Sequence, residues 1–282
     1  MIAVELARQV RRRRTFLCFV FLVGLPVIAA LANRSRSPSR TAEIGTRALF
    51  EVSTASGFNH ALAALAFMSP FFLVIVVSFF AGDSVSGEAT WGTLRYLLVR
   101  PVSRGRLVAS KLAVVFVLAL AATVAIAVSG LVSGTVAFGW DGVATPFGPT
   151  MPVGESLLRL GFATVAVTWS MAGVISFAFL LSVVTDSPAA AITGGFGLMI
   201  VSTILDGLSS LDYLHPGLPT HYWGAWSRLF LELPPSAAPL FGGSLPDTSL
   251  RPMAQDAVVQ LVYAVVFLGA AAWWFRRKDI LS

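Results

Sequence analysis

Residues 112–138 read LAVVFVLALAATVAIAVSGLVSGTVAF, a stretch without one charged side chain. About 20 apolar residues in a helix are enough to cross the hydrocarbon core of a bilayer. Because lipid cannot satisfy backbone N–H and C=O groups, a stretch of this kind must be helical. Five other stretches, of 18–26 residues, also lack Asp, Glu, Lys and Arg. The sequence therefore predicts six transmembrane helices, at 15–33, 60–82, 112–138, 160–185, 188–205 and 257–275.

The composition of the whole chain agrees with these spans. Of 282 residues, 56% are hydrophobic and 12% are charged, and the mean hydropathy is +0.80. A soluble domain carries about 25% charged residues, so we expect neither a soluble enzyme nor a nucleic-acid-binding protein, despite a net charge of +6. The single cysteine, Cys18, excludes an internal disulfide and a multi-cysteine metal site. We expect one all-α transmembrane domain over residues 1–282, surrounded by membrane lipid.

The distribution of Lys and Arg predicts the orientation of the chain. With both termini in the cytoplasm, the inner segments hold 13 of the 20 basic residues and the outer segments hold seven. Cationic loops favour the cytoplasmic side, so we expect a multi-pass protein of the inner (cytoplasmic) membrane. The first outer loop, which contains four arginines, is the main exception.

The N-terminal segment allows two interpretations. Ile2, Leu6 and Val10 form one apolar stripe ahead of an arginine cluster, which predicts a short interfacial helix at the inner surface. The pair Arg13-Arg14 followed by 30–32, Ala-Leu-Ala, also resembles a twin-arginine export signal with a cleavage site. We favour an uncleaved first span, and the charge count does not separate the two.

The inner loop, residues 83–111, is the most informative segment. Its first half is small and polar, and its middle predicts a short helix over 93–99, capped by the hydroxyl of Thr93 and ended by Pro101. Leu94, Leu97 and Leu98 share one face of that helix. An apolar face in the cytoplasm predicts either a protein partner or contact with lipid headgroups. We expect Lys111 to anchor the third span at the headgroups, and Arg104 is open to the same interpretation.

The loop resembles a known family. The run Gly87-Glu88, Gly92-Thr93-Leu94, Leu97-Leu98, Pro101-Val102-Ser103-Arg104, Leu107 and Lys111 is similar to the loop of ABC-2 type transporter permeases, most of all to the small NosY-like permease subunits. The detailed match covers about 25 residues, and the six-span layout extends it loosely to the whole chain. The resemblance implies an ABC-2 (type V exporter-like) transmembrane domain with an N-terminal interfacial helix.

The resemblance also implies the partners and the contact residues. The loop would carry a coupling helix that docks on a separate cytoplasmic ATPase, and a second permease subunit, identical or similar, would complete the transporter. The implied contact residues are Glu88, Gly92, Thr93, Leu94, Arg95, Leu97, Leu98, Pro101 and Arg104, with a second contact at Asp186 and Ser187 in the turn before span five. The leucines would supply apolar burial, and Glu88 and Arg95 polar contacts. Asp186 or Ser187 is alternatively only a helix cap.

No catalytic residues or bound cofactors are expected in this chain. The spacing of Gly87, Gly92 and Thr93 superficially resembles a phosphate-binding loop, but the required Lys is missing, so ATP and Mg²⁺ would bind the partner ATPase. The function predicted is that of an exporter permease; the alternative is the membrane component of an ATPase-linked assembly or maturation system. The apolar spans do not indicate the substrate.

The long outer loop, residues 206–256, is rich in proline and aromatic residues. The resemblance to ABC-2 type permeases implies a short re-entrant helix over 222–233, and the alternative is an ordinary interfacial loop. His215 and His221 lie six residues apart with no acidic or thiol partner in ligand-like spacing, so the sequence predicts no metal site. His60, at the start of span two, is interpreted as an interfacial residue.

Overall fold

The computed structural model describes residues 2–35, 46–90, 104–145, 150–230 and 249–277. Within these ranges every regular element is a helix, which confirms the all-α prediction. The α-helices are α1 (Ile2–Val10), α2 (Arg13–Ala32), α3 (Thr46–Glu51), α4 (Gly57–Met68), α5 (Val74–Thr90), α6 (Arg104–Phe138), α7 (Val153–Ser170), α8 (Ala172–Val184), α9 (Pro188–Asp206) and α10 (Arg251–Arg277). A π-helical turn, Ser69–Leu73, joins α4 to α5, and three 3₁₀ helices, Ser209–Leu211, His215–Gly217 and Ala225–Phe230, follow α9.

Six helical segments of the described chain are long and apolar enough to span a membrane. They are Arg13–Ala32, Gly57–Glu88, Gly105–Phe138, Val153–Val184, Pro188–Asp206 and Arg251–Arg277. The six predicted spans are therefore confirmed, and the chain is a multi-pass membrane protein. Successive spans alternate in direction. We call the end of the bundle that holds α1, the end of α5 and the start of α6 the basic end, and the opposite end the loop end.

Small residues bring the central helices close together. A Cβ atom on Gly130 would lie 2.9 Å from the Cα of Ala61, and one on Gly134 would lie 2.6 Å from the Cβ of His60. These two glycines thus let α6 pack directly against α4, as their four-residue spacing predicts. Gly195 brings α9 against Ala178 in the same way, whereas Gly197 faces open space.

Two spans are interrupted along their length. The π-helical turn lies at Pro70, where a missing N–H disturbs the helical hydrogen bonds. The fourth span divides at Met171, between α7 and α8. In contrast, α2 continues through Pro26, whose carbonyl oxygen lies 2.9 Å from Nε2 of His60. His60 is buried, so its interpretation as an interfacial residue was wrong.

The predicted loop boundaries need correction at both ends of the bundle. At the basic end, α5 continues to Thr90 and α6 begins at Arg104, so the expected polar half of the inner loop is helical. At the loop end, the helix expected over 222–233 is a short 3₁₀ helix, Ala225–Phe230, and residues 231–233 lie outside the described ranges. Trp226 and Phe230 are buried there because they pack into the bundle.

Candidate functional site

Six ionisable side chains meet at the basic end. Glu5 and Arg8 come from α1, Arg12 precedes α2, Asp83 and Glu88 lie in the last turns of α5, and Lys111 lies in the second turn of α6. We call these six residues the basic-end cluster. Three carboxylates face three cations, so the formal charges of the cluster cancel. The cluster joins the N-terminal helix to both helices that flank the inner loop.

Lys111 lies at the centre of the cluster. Its side chain is 3% exposed, and its Nζ atom lies 2.7 Å from Oε2 of Glu88. The same ammonium group donates to the carbonyl oxygen of Ser84 at 2.9 Å and to Oε1 of Glu5 at 3.4 Å. The ammonium group therefore has two hydrogen-bond acceptors and an ion-pair partner, which compensate for its burial. The prediction that Lys111 anchors the third span at the headgroups was wrong, because its side chain points into the bundle.

Glu88 and Asp83 connect α5 to the N-terminal segment. The carboxylate of Glu88 is 2% exposed and pairs with Lys111 on one side and with Arg8 on the other. Arg8 also pairs with Glu5 at 2.6 Å, one turn earlier on α1. Arg12 pairs with Asp83. Glu88 was predicted to present a polar contact to an ATPase, but its side chain is directed into these internal pairs.

Small polar residues explain why α5 stays helical at this point. The hydroxyl groups of Ser84 and Ser86 donate to carbonyl oxygens one turn earlier, at 2.7 and 2.6 Å. From α8, Oγ of Ser182 accepts the backbone N–H groups of Val85 and Ser86, each at 3.0 Å. Because these side chains are short and satisfied locally, the end of α5 packs tightly against α8.

The charges of the N-terminal helix stabilise each other. Burial alone raises the pKa of Glu5, but the nearby charge of Lys111 and the hydrogen bond from Arg8 outweigh it and hold that pKa below its ordinary value. Burial lowers the pKa of Arg8, and its bonds to Glu5 and Glu88 reverse that effect and raise it. Both groups therefore stay charged at neutral pH, and α1 remains docked by paired charges.

The cluster closes the base of the inner loop. The pair between Glu88 and Lys111 ties the last turn of α5 to the first turns of α6, on either side of residues 91–103. Arg104 begins α6. The other predicted contact residues of this loop lie outside the described residues; they are Gly92, Thr93, Leu94, Arg95, Leu97, Leu98 and Pro101.

The second predicted contact is exposed at the turn before α9. Asp186 and Ser187 both lie at the surface. Oγ of Ser187 accepts the backbone N–H of Ala190 at 3.3 Å, and Pro188 occupies the first turn. Ser187 is therefore the helix cap that the sequence indicated, and Asp186 lies exposed beside it.

The sequence interpretation missed most of the cluster. Asp83 was placed in a loop, and Glu5 and Arg8 were treated only as part of an amphipathic helix. One signal was available, since Glu5 and Arg8 are three residues apart and so lie on one face of α1. The carboxylate on α5 that pairs with Arg8 lies 80 residues away in sequence, and no local pattern indicates a contact over that separation.

Comparison with known proteins places the chain in a family. No curated protein matches the sequence. Residues 27–281 match the family described as "Protein of unknown function (DUF2705)", which covers most of the transmembrane domain. The chain therefore belongs to the DUF2705 family.

Proposed function

We propose that this chain is the permease subunit of an ATP-driven transporter of the ABC-2 type (type V exporter-like), and that it exports its substrate. A separate cytoplasmic ATPase, which holds ATP and Mg²⁺, docks on the loop between α5 and α6. A second permease subunit completes the pathway within the membrane. The basic end and both termini face the cytoplasm, and the membrane is the inner (cytoplasmic) one.

The observation that carries the proposal is the buried ion-pair base of that loop. A loop that receives force from a partner must be fixed to the helices that move. Glu88 and Lys111 are 2% and 3% exposed and lie 2.7 Å apart, so the two ends of the loop are held together in a low-dielectric setting. A displacement of residues 91–103 is therefore passed to α5 and α6 together.

The end of α5 is also connected to the second predicted contact. Ser182 of α8 holds the backbone of Val85 and Ser86, and it lies in the turn of helix just before Asp186. On the other side, Gly82 packs against Ile192 of α9, where a Cβ atom would lie 2.8 Å from the Ile192 backbone nitrogen. A partner that contacts both inner segments would thus act on one connected group of helices.

The charge of the basic end supports the cytoplasmic orientation. Arg11, Arg13 and Arg14 are exposed there around the start of α2, and Arg106 is exposed at the start of α6. Arg276 and Arg277 end α10 at the same end. Exposed cations beside span ends favour the cytoplasmic side, where a soluble ATPase is accessible.

Binding of the ATPase tests the proposal. The double variant Leu97→Asp/Leu98→Asp removes two apolar side chains, each contributing about 1.5–3 kcal/mol when buried. We expect an affinity at least about 100-fold lower for the partner ATPase, identified by co-purification with the unsubstituted chain, and loss of its stimulated ATP hydrolysis. The control is Leu208→Asp/Leu250→Asp, which changes two leucines that are 44% and 51% exposed at the loop end.

The two double variants distinguish whether the inner loop is the docking surface for the ATPase. Co-purification and hydrolysis rates should be unchanged in the control and lost in the Leu97 and Leu98 variant. If the inner-loop variant binds and stimulates the ATPase as the unsubstituted chain does, this loop is not the docking surface and the proposed function fails.

A further inference from the structure

A separate cluster at the loop end brings together three groups that bind metals. Asp206 ends α9, and His215 and His221 lie in the irregular segment that follows. The candidate ligand atoms of the three side chains all lie within 4.8 Å of one another. The prediction of no metal site rested on the lack of an acidic partner near the histidines. The structure supplies that partner, because the turns after α9 fold the histidines back beside Asp206.

The individual contacts show which atoms are available. Nδ1 of His221 lies 2.5 Å from Oδ1 of Asp206, so a hydrogen bond joins two of the candidate ligand atoms. The rings of His215 and His221 lie with their centroids 5.7 Å apart. Nδ1 of His215 lies 3.6 Å from Oδ1 of Asp212. Nε2 of His215 is buried and has no hydrogen-bond partner among the described residues, which leaves it as an unsatisfied ligand atom.

The segment that carries the histidines is fixed to two helices. The hydroxyl group of Tyr263 on α10 donates to the carbonyl oxygen of Gly217 at 2.9 Å. Gln260 on α10 donates to the carbonyl oxygen of Pro219 at 2.7 Å, and Thr220 bonds to Ser202 of α9 at 2.6 Å. These anchors lie between His215 and His221, so the two rings are held in place by the scaffold, as a metal site requires.

We propose that Asp206, His215 and His221 bind one divalent transition-metal ion of the Zn²⁺ class. Two imidazole nitrogens and one carboxylate oxygen are the protein ligands of three-ligand zinc sites, in which water takes the fourth position. Hard cations such as Ca²⁺ and Mg²⁺ prefer sites built from oxygen alone. This site is independent of ATPase docking and goes beyond the proposed function.

The geometry needs only a small adjustment to hold the ion. Tetrahedral zinc with bonds of about 2.0–2.1 Å places its ligand atoms about 3.3 Å apart. The two ligand atoms that lie farthest apart must therefore approach each other by about 1–1.5 Å. Rotation about the side-chain χ angles provides this movement. The ion takes the place of the hydrogen bond between His221 and Asp206; the imidazole proton then sits on Nε2, so His221 binds through Nδ1 as a neutral ring. An outer carboxylate commonly orients a histidine ring at zinc sites; here Oδ1 of Asp212 lies 3.6 Å from Nδ1 of His215, just beyond hydrogen-bond distance.

Zinc binding by the full-length chain tests the site. The protein is purified in lipid nanodiscs with a tag free of histidine, stripped with a chelator, and titrated with Zn²⁺ alone against a chromophoric chelator. We expect one Zn²⁺ per chain. The variants Asp206→Asn, His215→Gln and His221→Gln should each bind at least tenfold more weakly. Asp141→Asn, a matched change of an exposed carboxylate elsewhere, should bind as the unsubstituted chain does.

A second measurement reports on the ligands without depending on affinity. Co²⁺ in place of Zn²⁺ should give the visible absorption of a four-coordinate site in the unsubstituted chain and in Asp141→Asn, and lose it in the three cluster variants. Far-UV circular dichroism establishes that each variant keeps its helices. The proposal is overturned if the folded unsubstituted chain binds no stoichiometric Zn²⁺, or if the three cluster variants bind it with unchanged affinity.

Discussion

Replacement of Lys111 by Met is the most direct test of the basic-end cluster. Methionine keeps most of the volume of the side chain and removes only the charge and its three donors. In the variant, Glu88, which is 2% exposed in the unsubstituted chain, loses the ammonium group and keeps its pair with Arg8, and the carbonyl oxygen of Ser84 loses a donor. The formal charges of the cluster then sum to −1 instead of zero.

The structure gives the size of the effect. Breaking a buried ion pair by removing one partner costs about 3–5 kcal/mol, because a charge is left uncompensated. Since Arg8 still neutralises part of Glu88, we expect the lower end, about 3 kcal/mol. Adding Glu88→Gln removes the stranded charge, so the double variant Glu88→Gln/Lys111→Met should recover about 2 kcal/mol relative to the sum of the two single changes.

Unfolding in mixed micelles measures these values. The purified chain is titrated with SDS, and loss of structure is followed by tryptophan fluorescence and far-UV circular dichroism. A change of about 3 kcal/mol corresponds to a folding constant roughly 100-fold smaller. The control is Arg106→Met, an exposed cation on the same helix, which should change stability by less than about 0.5 kcal/mol. If the costs of the two single changes simply add in the double variant, Glu88 and Lys111 are not coupled and the argument fails.

Two further predictions concern the N-terminal helix and the loop end. The pKa of Glu5 is held below its ordinary value of 4.5 in the folded chain, so its contribution to stability is present at neutral pH and is lost as the pH falls through the lowered value. The free energy of unfolding measured from pH 7 to 3 should show this loss, and Glu5→Gln should remove that part of the pH dependence. Gln260 is fully buried and bonds to the N–H of Gly173 at 3.0 Å and to the carbonyl oxygen of Pro219. Gln260→Leu should therefore cost about 1–3 kcal/mol in the same SDS titration, and an unchanged midpoint would show that these bonds do not hold α10.

The six spans could be predicted from the sequence because each depends on a local property. A stretch such as 112–138 is apolar throughout, and lipid leaves it no alternative to a helix. The errors lie at the ends of the spans. The sequence placed the boundary of span two at residue 82, because Asp83 and the serines after it are polar, whereas the structure continues the helix to Thr90. Those side chains are satisfied by helical carbonyl groups and by distant partners, which local polarity does not reveal.

The two clusters could not be predicted because they depend on contacts between distant segments. Glu88 looked like a surface contact in a polar loop, yet it is buried by helices that begin at residue 2 and residue 104. The histidines at 215 and 221 looked unpartnered for the same reason. The eight residues between Asp206 and His215 form turns and a short 3₁₀ helix, and no repeating sequence pattern sets their course.

The interrupted spans suggest where movement of the inner loop would be absorbed. The breaks at Ser69–Leu73 and Met171 separate α5 and α8, which reach the basic end, from α4 and α7, which reach the loop end. The bonds from Ser182 to Val85 and Ser86 join α5 and α8 on the same side of both breaks. π-helical turns and helix breaks are common sites of bending. A partner that displaces the loop would therefore move α5, α8 and the start of α6 together, while the packing of Gly130 and Gly134 against α4 holds the far end of α6 in place.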